Sequence, residues 1–191
     1  RYVGDFVDNL YDGKGSFEFA SGERYTGEYR RGLKQGQGEY LFANKDRYVG
    51  EFDNDKPHGK GVMFHANGDH FEGEYVRGVR TGAGVHKFAN GDRYEGSFVA
   101  GLASGRGRLT MANGDRYEGE FREGLREGQG TYHFANKDRY EGGFAKGLEQ
   151  GRGTYFYASG DRFEGEFAGG VRHGKGVHRF ASGQSREVEY D

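Results

Sequence analysis

Three residue patterns in this chain could do chemistry. The first is a recurring Gly-x-Gly, as in Gly36-Gln37-Gly38 and Gly128-Gln129-Gly130. It invites a dinucleotide-binding reading, but such a loop needs a third glycine and a following helix whose N-terminus meets the phosphates. The sequence supplies neither, so no cofactor is expected. The second pattern is paired carboxylates such as Glu118 and Glu120 near Arg116. They recur at fixed intervals on what reads as a solvated strand surface, where ion-pair ladders worth at most about 1 kcal/mol per pair explain them without a catalytic dyad. The third is histidine: His58, His65 and His70 fall close together, and His173 and His178 flank the last Gly-x-Gly. A zinc site wants three or four converging N or S ligands. His173 and His178 have opposite strand parity and no cysteine is available, so a metal is expected only if two C-terminal ends bring four histidines together.

The elements that carry these residues follow from composition and period. Of 191 residues 38 are glycine, and 30 Phe and Tyr outnumber 18 Leu and Val, with no Ile, Trp or Cys and only Pro57. An ordinary globular core has the reverse balance. Without cysteine there is no disulfide framework and no thiolate chemistry. No apolar run approaches the roughly 18 residues of a membrane span. No signal peptide is visible in a chain that begins inside a repeat. A net charge of −2 does not announce a nucleic-acid binder.

Aligned on Tyr-x-Gly, the chain has a fixed period of 23 residues, with anchors at Tyr2, Tyr25, Tyr48, Phe71, Tyr94, Tyr117, Tyr140 and Phe163. With the anchor as position 1, glycine fills positions 3, 12 and 14 in every copy, position 5 is always Phe or Tyr, and positions 20 to 22 read mostly Asn-Gly-Asp or Ser-Gly-Asp. Five columns hold 36 of the 38 glycines, so the glycine content is architecture. Alternation and punctuation predict one β-hairpin per repeat, as in Asp92–Phe98 followed by Gly107–Ala112, with a longer turn bracketed by Gly101 and Gly105. Parity puts aromatics and glycines on one face and Arg and Glu on the other. A three-residue Asn-Gly-Asp loop would place position 18 opposite the next anchor, position 16 opposite the glycine at 3, and position 14 opposite the aromatic at 5. Rings then lie over backbone exposed by glycine.

The pattern Tyr-Glu-Gly-Glu-Phe-x-x-Gly-Leu-x-x-Gly-x-Gly-x-Tyr-x-Phe-Ala-x-Gly-Asp, present at Tyr117 to Asp138 with Lys137 in the last glycine slot, resembles the MORN repeat. The resemblance covers eight copies, 2–24, 25–47, 48–70, 71–93, 94–116, 117–139, 140–162 and 163–185, and leaves 186–191 as a partial repeat forming a closing strand. A chain of nothing else is similar to all-MORN cytoskeletal scaffolds. The resemblance implies a protein that is not an enzyme, cytoplasmic and cytoskeleton-associated, with the inner face of a membrane as an alternative location. Asn9 and Asp55 replace turn glycines at position 8 and tolerate positive φ, whereas Lys45 and Lys137 should carry strain.

Charge by position is more informative than net charge. Positions 6 to 13 sum to +8 and the remainder to −10. Lys34, Arg80, Arg126 and Arg172 stand at position 10 of the even repeats; Lys14, Lys60, Arg106 and Arg152 stand at position 13 of the odd ones. As a row, Lys34, Lys60, Arg80, Arg106, Arg126, Arg152 and Arg172 could meet acidic phospholipid or an acidic partner, or simply keep the edge soluble.

These readings predict an all-β, single-layer, twisted antiparallel meander of about 17 strands, roughly 80 Å long at about 4.8 Å per strand. Its expected partners are a second copy of itself at the C-terminal end, through Phe163, Phe167, His173, His178, Phe180, Arg186, Val188 and Tyr190, and a cytoskeletal or adaptor protein in the aromatic groove. Acidic phospholipid is the alternative, and nucleic acid is not expected.

Overall fold

The computed structural model describes residues 1–191 and contains strands and no helix. Seventeen strands form a single-layer sheet in which each is antiparallel to its chain neighbours. Contacts divide the chain into two units. The first, Arg1–Asn90 with Phe98–Gly101, holds β1 (Tyr2–Val7), β2 (Leu10–Glu18), β3 (Arg24–Arg30), β4 (Leu33–Leu41), β5 (Arg47–Asp53), β6 (Lys56–Phe64), β7 (His70–Val76) and β8 (Val79–Lys87). The strand β9 (Arg93–Val99) contributes residues to both. The second unit, Gly91–Ser97 with Leu102–Asp191, holds β10 (Leu102–Thr110), β11 (Arg116–Arg122), β12 (Leu125–His133), β13 (Arg139–Ala145), β14 (Leu148–Phe156), β15 (Arg162–Ala168), β16 (Val171–Arg179) and β17 (Ser185–Tyr190).

Two kinds of turn alternate. Within a repeat the strands join through only two residues, positions 7 and 8, both with positive φ, as at Glu123 (51°) and Gly124 (84°). Such a turn follows the right-handed twist of its strands. The expected longer turn over positions 6 to 13 is therefore replaced by strand from position 9 onward, and Gly105 lies inside β10 at φ 79°. The extra residues go into a bulge. The β11/β12 register slips between Gly119 and Phe121, and the position-12 glycine, Gly128 at φ 69°, absorbs it. Asn9 and Asp55 sit at φ 61° and 68°, and Lys45 and Lys137 at 74° and 75°, in the left-handed region anticipated for them.

The turn between repeats has three residues, but they are positions 19 to 21. Met111 and Asp115 close it, with the Met111 N–H donating to the Asp115 carbonyl at 2.9 Å around Ala112-Asn113-Gly114. Position 16 therefore opposes the next anchor (Leu109 with Tyr117), the glycines at 14 and 3 oppose each other (Gly107 with Gly119), and position 12 opposes position 5 (Gly105 with Phe121). The expected register is wrong by two residues. The cause is the left-handed glycine, Gly114 at 94°, which belongs at the loop's last place and leaves the aspartate outside it. A two-residue slip preserves parity, so the faces stand as expected.

The core is entirely aromatic: fifteen buried side chains, the anchors and position-5 rings of repeats 2 to 8 together with Tyr132. Each anchor ring seats over the glycine pair of its own hairpin; Tyr117 covers Gly119 and Gly130. Its edge-to-face partners are Phe121 in the same repeat at 5.2 Å and Phe144 in the next at 4.8 Å. Bulged backbone gives the anchor hydroxyl an acceptor, the Glu120 carbonyl at 3.0 Å. Burial pushes the Tyr117 hydroxyl up to about 12, so it remains a donor.

Candidate functional site

The repeated carboxylates divide by position. Glutamates at position 2 pair with arginine, as Glu118 does with Arg108 at 2.8 Å and Arg116 at 3.4 Å. Those at positions 4 and 22 do something the surface-ladder reading missed. The Glu51 carboxylate accepts the bulge N–H of Lys60 at 3.0 Å, and Asp115 accepts the N–H of Ala135, one repeat onward, at 2.8 Å. The second Asp115 oxygen accepts the Tyr132 hydroxyl at 2.7 Å, and that bond above all, with the Ala135 N–H, holds its carboxyl below the usual range against its partial burial. These are structural acceptors, engaged with their own backbone.

Histidines do not converge on a metal: no group of three or more His, Cys, Asp or Glu side chains comes together. His65, at position 18, pairs through its Nδ1 with Asp46 of the aspartate column at 2.9 Å. His178 lies on the aromatic face with its Nε2 2.9 Å from the Tyr190 hydroxyl, while His173 pairs with Glu166 on the other face. His58 and His70 stand in β6 and β7, in positions that add no ligand to either.

The seven-cation row also divides. Lys34, Arg80, Arg126 and Arg172 stand on the aromatic face, opposite position-5 rings in the register, as Arg126 stands opposite Phe121. Lys60, Arg106 and Arg152 stand on the polar face opposite Glu74, Glu120 and Glu166. A single basic edge is thus replaced by two rows, because position 10 and position 13 differ in parity once the turn is only two residues long. On the polar face a trough of about 740 Å³ runs over paired glycines between Glu95, Arg106, Arg108, Glu118 and Glu141, its charges largely matched.

The aromatic face is where unmatched chemistry gathers. In the second unit a ridge of rings runs from the buried Tyr132 to half-buried Phe134 at 4.6 Å, Tyr155 at 5.4 Å and Tyr157 at 4.9 Å, and on to His178. Arg126 lies over Tyr132 at 4.9 Å with Tyr117 and Phe144 beside it. Arg172 is ringed by Phe163 at 5.0 Å, Tyr157 at 5.4 Å, Tyr155 and Tyr190. Its guanidinium donates to the hydroxyls of Tyr157 and Tyr190, and Arg126 donates to the Gly147 carbonyl. Neither forms an ion pair, whereas Lys34 on the same face does, with Asp55 at 3.4 Å. Beside Arg172 opens a groove of about 510 Å³ lined by Phe134, Glu149, Tyr155, Phe167 and Tyr190.

Of the residues expected at a C-terminal interface, Phe163 and Phe167 are buried within the chain's own aromatic layer and offer nothing to a second copy. His173, Phe180 and Arg186 are exposed, and His178, Val188 and Tyr190 are half-buried. The β17 strand pairs with β16 on one side only.

A meander of 23-residue hairpins with anchor rings seated on glycine pairs defines a repeat protein whose surface is all strand. The MORN repeat model matches residues 2–24, 25–47, 48–70, 71–93, 94–116, 117–139, 140–162 and 163–185, and the chain belongs to the MORN-repeat family. No curated protein matches it significantly. Among solved structures it is similar in fold to the wild-type TCP10 domain of Danio rerio CPAP, with TM-score 0.55, 11% identity, and coverage of 93% of this chain and 84% of that one. It is also similar to the TCP domain of Drosophila melanogaster SAS-4 (dCPAP), solved in complex with a proline-rich motif of Ana2 (dSTIL), with TM-score 0.53, 15% identity, and coverage of 93% and 90%. No helix is long and apolar enough to cross a membrane.

Proposed function

We propose that this chain is a non-enzymatic scaffold or adaptor that holds an extended segment of a partner protein on its aromatic face. One observation carries the reading: Arg126 and Arg172 are half-buried among rings and make no ion pair. Aromatic grooves receive preformed extended segments, proline-rich ones included, and the two guanidinium groups add a preference for acidic side chains. Four strand spacings of about 4.8 Å separate them, which an extended peptide spans in about six residues. The SAS-4 domain of the same fold was solved with a proline-rich motif, in keeping with such a role. Fluorescence polarisation with short proline-rich peptides, with and without acidic residues, tests it. Acidic members should bind and be lost with Arg126→Glu and Arg172→Glu together; absence of any binder, or equal binding by the variant, defeats the reading.

A second reading concerns the free edge of β17, Ser185–Tyr190, whose outer N–H and C=O groups face no strand. Such an edge is a template for antiparallel pairing with its two-fold mate. Homodimerisation there would use Arg186, Val188 and Tyr190. Light scattering should show a dimer for the full chain and a monomer after deletion of 184–191; a full chain that stays monomeric removes it.

A further inference from the structure

At position 9, the first residue after the two-residue turn, seven of eight repeats carry Leu or Val; repeat 3 alone has Lys56. Position 9 pairs with position 6 on the face away from the rings, as Leu125 pairs with Arg122 and Leu148 with Ala145. These side chains stay about half open or more. In the second unit Leu102, Leu125, Leu148 and Val171 are 49%, 50%, 49% and 63% exposed. Four aliphatic side chains in a row are more than the scattered apolar exposure of an ordinary surface.

Their alignment is enforced. Each turn is bonded to the one before it: the Gly147 N–H donates to the Arg126 carbonyl at 3.0 Å and the Gly170 N–H to the Glu149 carbonyl at 3.0 Å. Side chains at position 11 add a second bond, from the Lys146 N–H to Glu127 at 3.0 Å and from the Gly169 N–H to Gln150 at 3.2 Å. Successive aliphatic side chains therefore stand two strand spacings apart, roughly 9.6 Å, in a row that holds its spacing.

We infer that this row is a side-by-side contact with a second copy of the same chain, arranged antiparallel about a two-fold axis between Leu125 and Leu148. Two arguments select that occupant. A second copy presents the same spacing, so Leu125 and Leu148, nearest the two-fold, meet the partner's pair in register. The charges at the turns also exchange correctly under the two-fold. Position 7 is Glu123 before Leu125 and Lys146 before Leu148, each followed by glycine and each at φ 51°. The operation that sets Leu125 against the partner's Leu148 sets Glu123 against the partner's Lys146, and the reverse, as a self-complementary interface requires. In the first unit Lys56 interrupts the row, so the second unit provides the unbroken surface.

Four half-exposed aliphatic side chains per copy bury less than the ~1,200 Å² total of a stable interface. The contact is weak alone and gains strength where other contacts already hold copies together. It is independent of the β17 edge and of the aromatic face.

The native chain has no cysteine, which makes cross-linking the direct test. Full-length Glu123→Cys and Lys146→Cys variants, mixed and oxidised at high concentration, should form 123–146 disulfides at least several-fold above 123–123 and 146–146. In sedimentation, Glu123→Lys or Lys146→Glu alone should weaken lateral association, and the double exchange should restore it. Leu125→Glu with Leu148→Glu should abolish it while any dimer sensitive to deletion of 184–191 remains. Random disulfide pairing, failure of the double exchange to restore association, or association unchanged in the leucine variant overturns the inference. Loss of the dimer on deletion of 184–191, with 123–146 cross-links retained, leaves it standing on its own.

Discussion

The Tyr117 ring lies across Gly130 so closely that a Cβ placed there would stand 2.5 Å from its Cζ. That ring cannot retreat, because it is fully buried between Phe121 and Phe144. Gly130→Ala should therefore cost about 3 kcal/mol, the upper end of overpacking effects. Gly124→Ala, at φ 84° with open space around it, should cost about 1–2 kcal/mol from left-handed strain alone. Urea unfolding of both variants gives the comparison, and equal losses would contradict the seating of the ring.

The anchor hydroxyl contributes separately. Tyr117→Phe removes the donor to the Glu120 carbonyl and should cost about 1 kcal/mol. Phe71 and Phe163 already occupy that place in other repeats, so the variant should fold normally. Their reverse substitution, Phe163→Tyr, should stabilise or be neutral in the same unfolding measurement.

Acid should loosen the stitching between repeats. The Ala66 N–H above all, aided by His65, holds the Asp46 carboxyl below its usual range, and the Ala89 N–H does the same for Asp69. A depressed folded value means stability that is complete above the ordinary carboxylate range and is lost as pH falls through the folded value. His86, lowered by burial first and by Arg80 second, adds to the loss from its ordinary value near 6.5 downward, because the unfolded chain takes up that proton more readily. Melting temperature should fall steadily from pH 7 to pH 3, and Asp46→Asn should flatten part of that fall.

Arg126 separates folding from binding. Over Tyr132 and two further rings its guanidinium contributes about 0.5–1 kcal/mol to the fold. Arg126→Gln, which also loses the bond to the Gly147 carbonyl, should lower stability by about 1–2 kcal/mol in all, yet weaken an acidic peptide by about tenfold or more. A binding loss that merely tracks the stability loss would place Arg126 in the core alone.

Much of this was readable from spacing. Glycine columns fixed the period, and parity fixed the faces, so Tyr117 and Phe121 were assigned to one side. The loop was harder, because Ala112-Asn113-Gly114 and Asn113-Gly114-Asp115 are both three-residue turns by composition. The left-handed glycine at the loop's last place, Gly114, selects the first, and the hydrogen bond between Met111 and Asp115 closes it. The surface at Leu125 and Leu148 is not legible in the sequence for a related reason. Residues assigned to a turn have no defined side, and the bulge that converts them to strand is a pairing of residues across the hairpin, formed at Gly128 beside the Glu120 carboxylate and equally at Gly151, where Gly143 offers none. Charge by position singles out Arg126 and Arg172, but the rings around them are distant in sequence.

The pairing of Gly119 with Gly107 in the repeat before, and of Gly130 with Gly142 in the repeat after, means that each hairpin is received through the same glycine contact by which it receives the next. Ancestral duplication or excision of a whole 23-residue block would leave every seam chemically identical. Such a gene can lengthen or shorten its product in fixed steps, without having to invent a new junction.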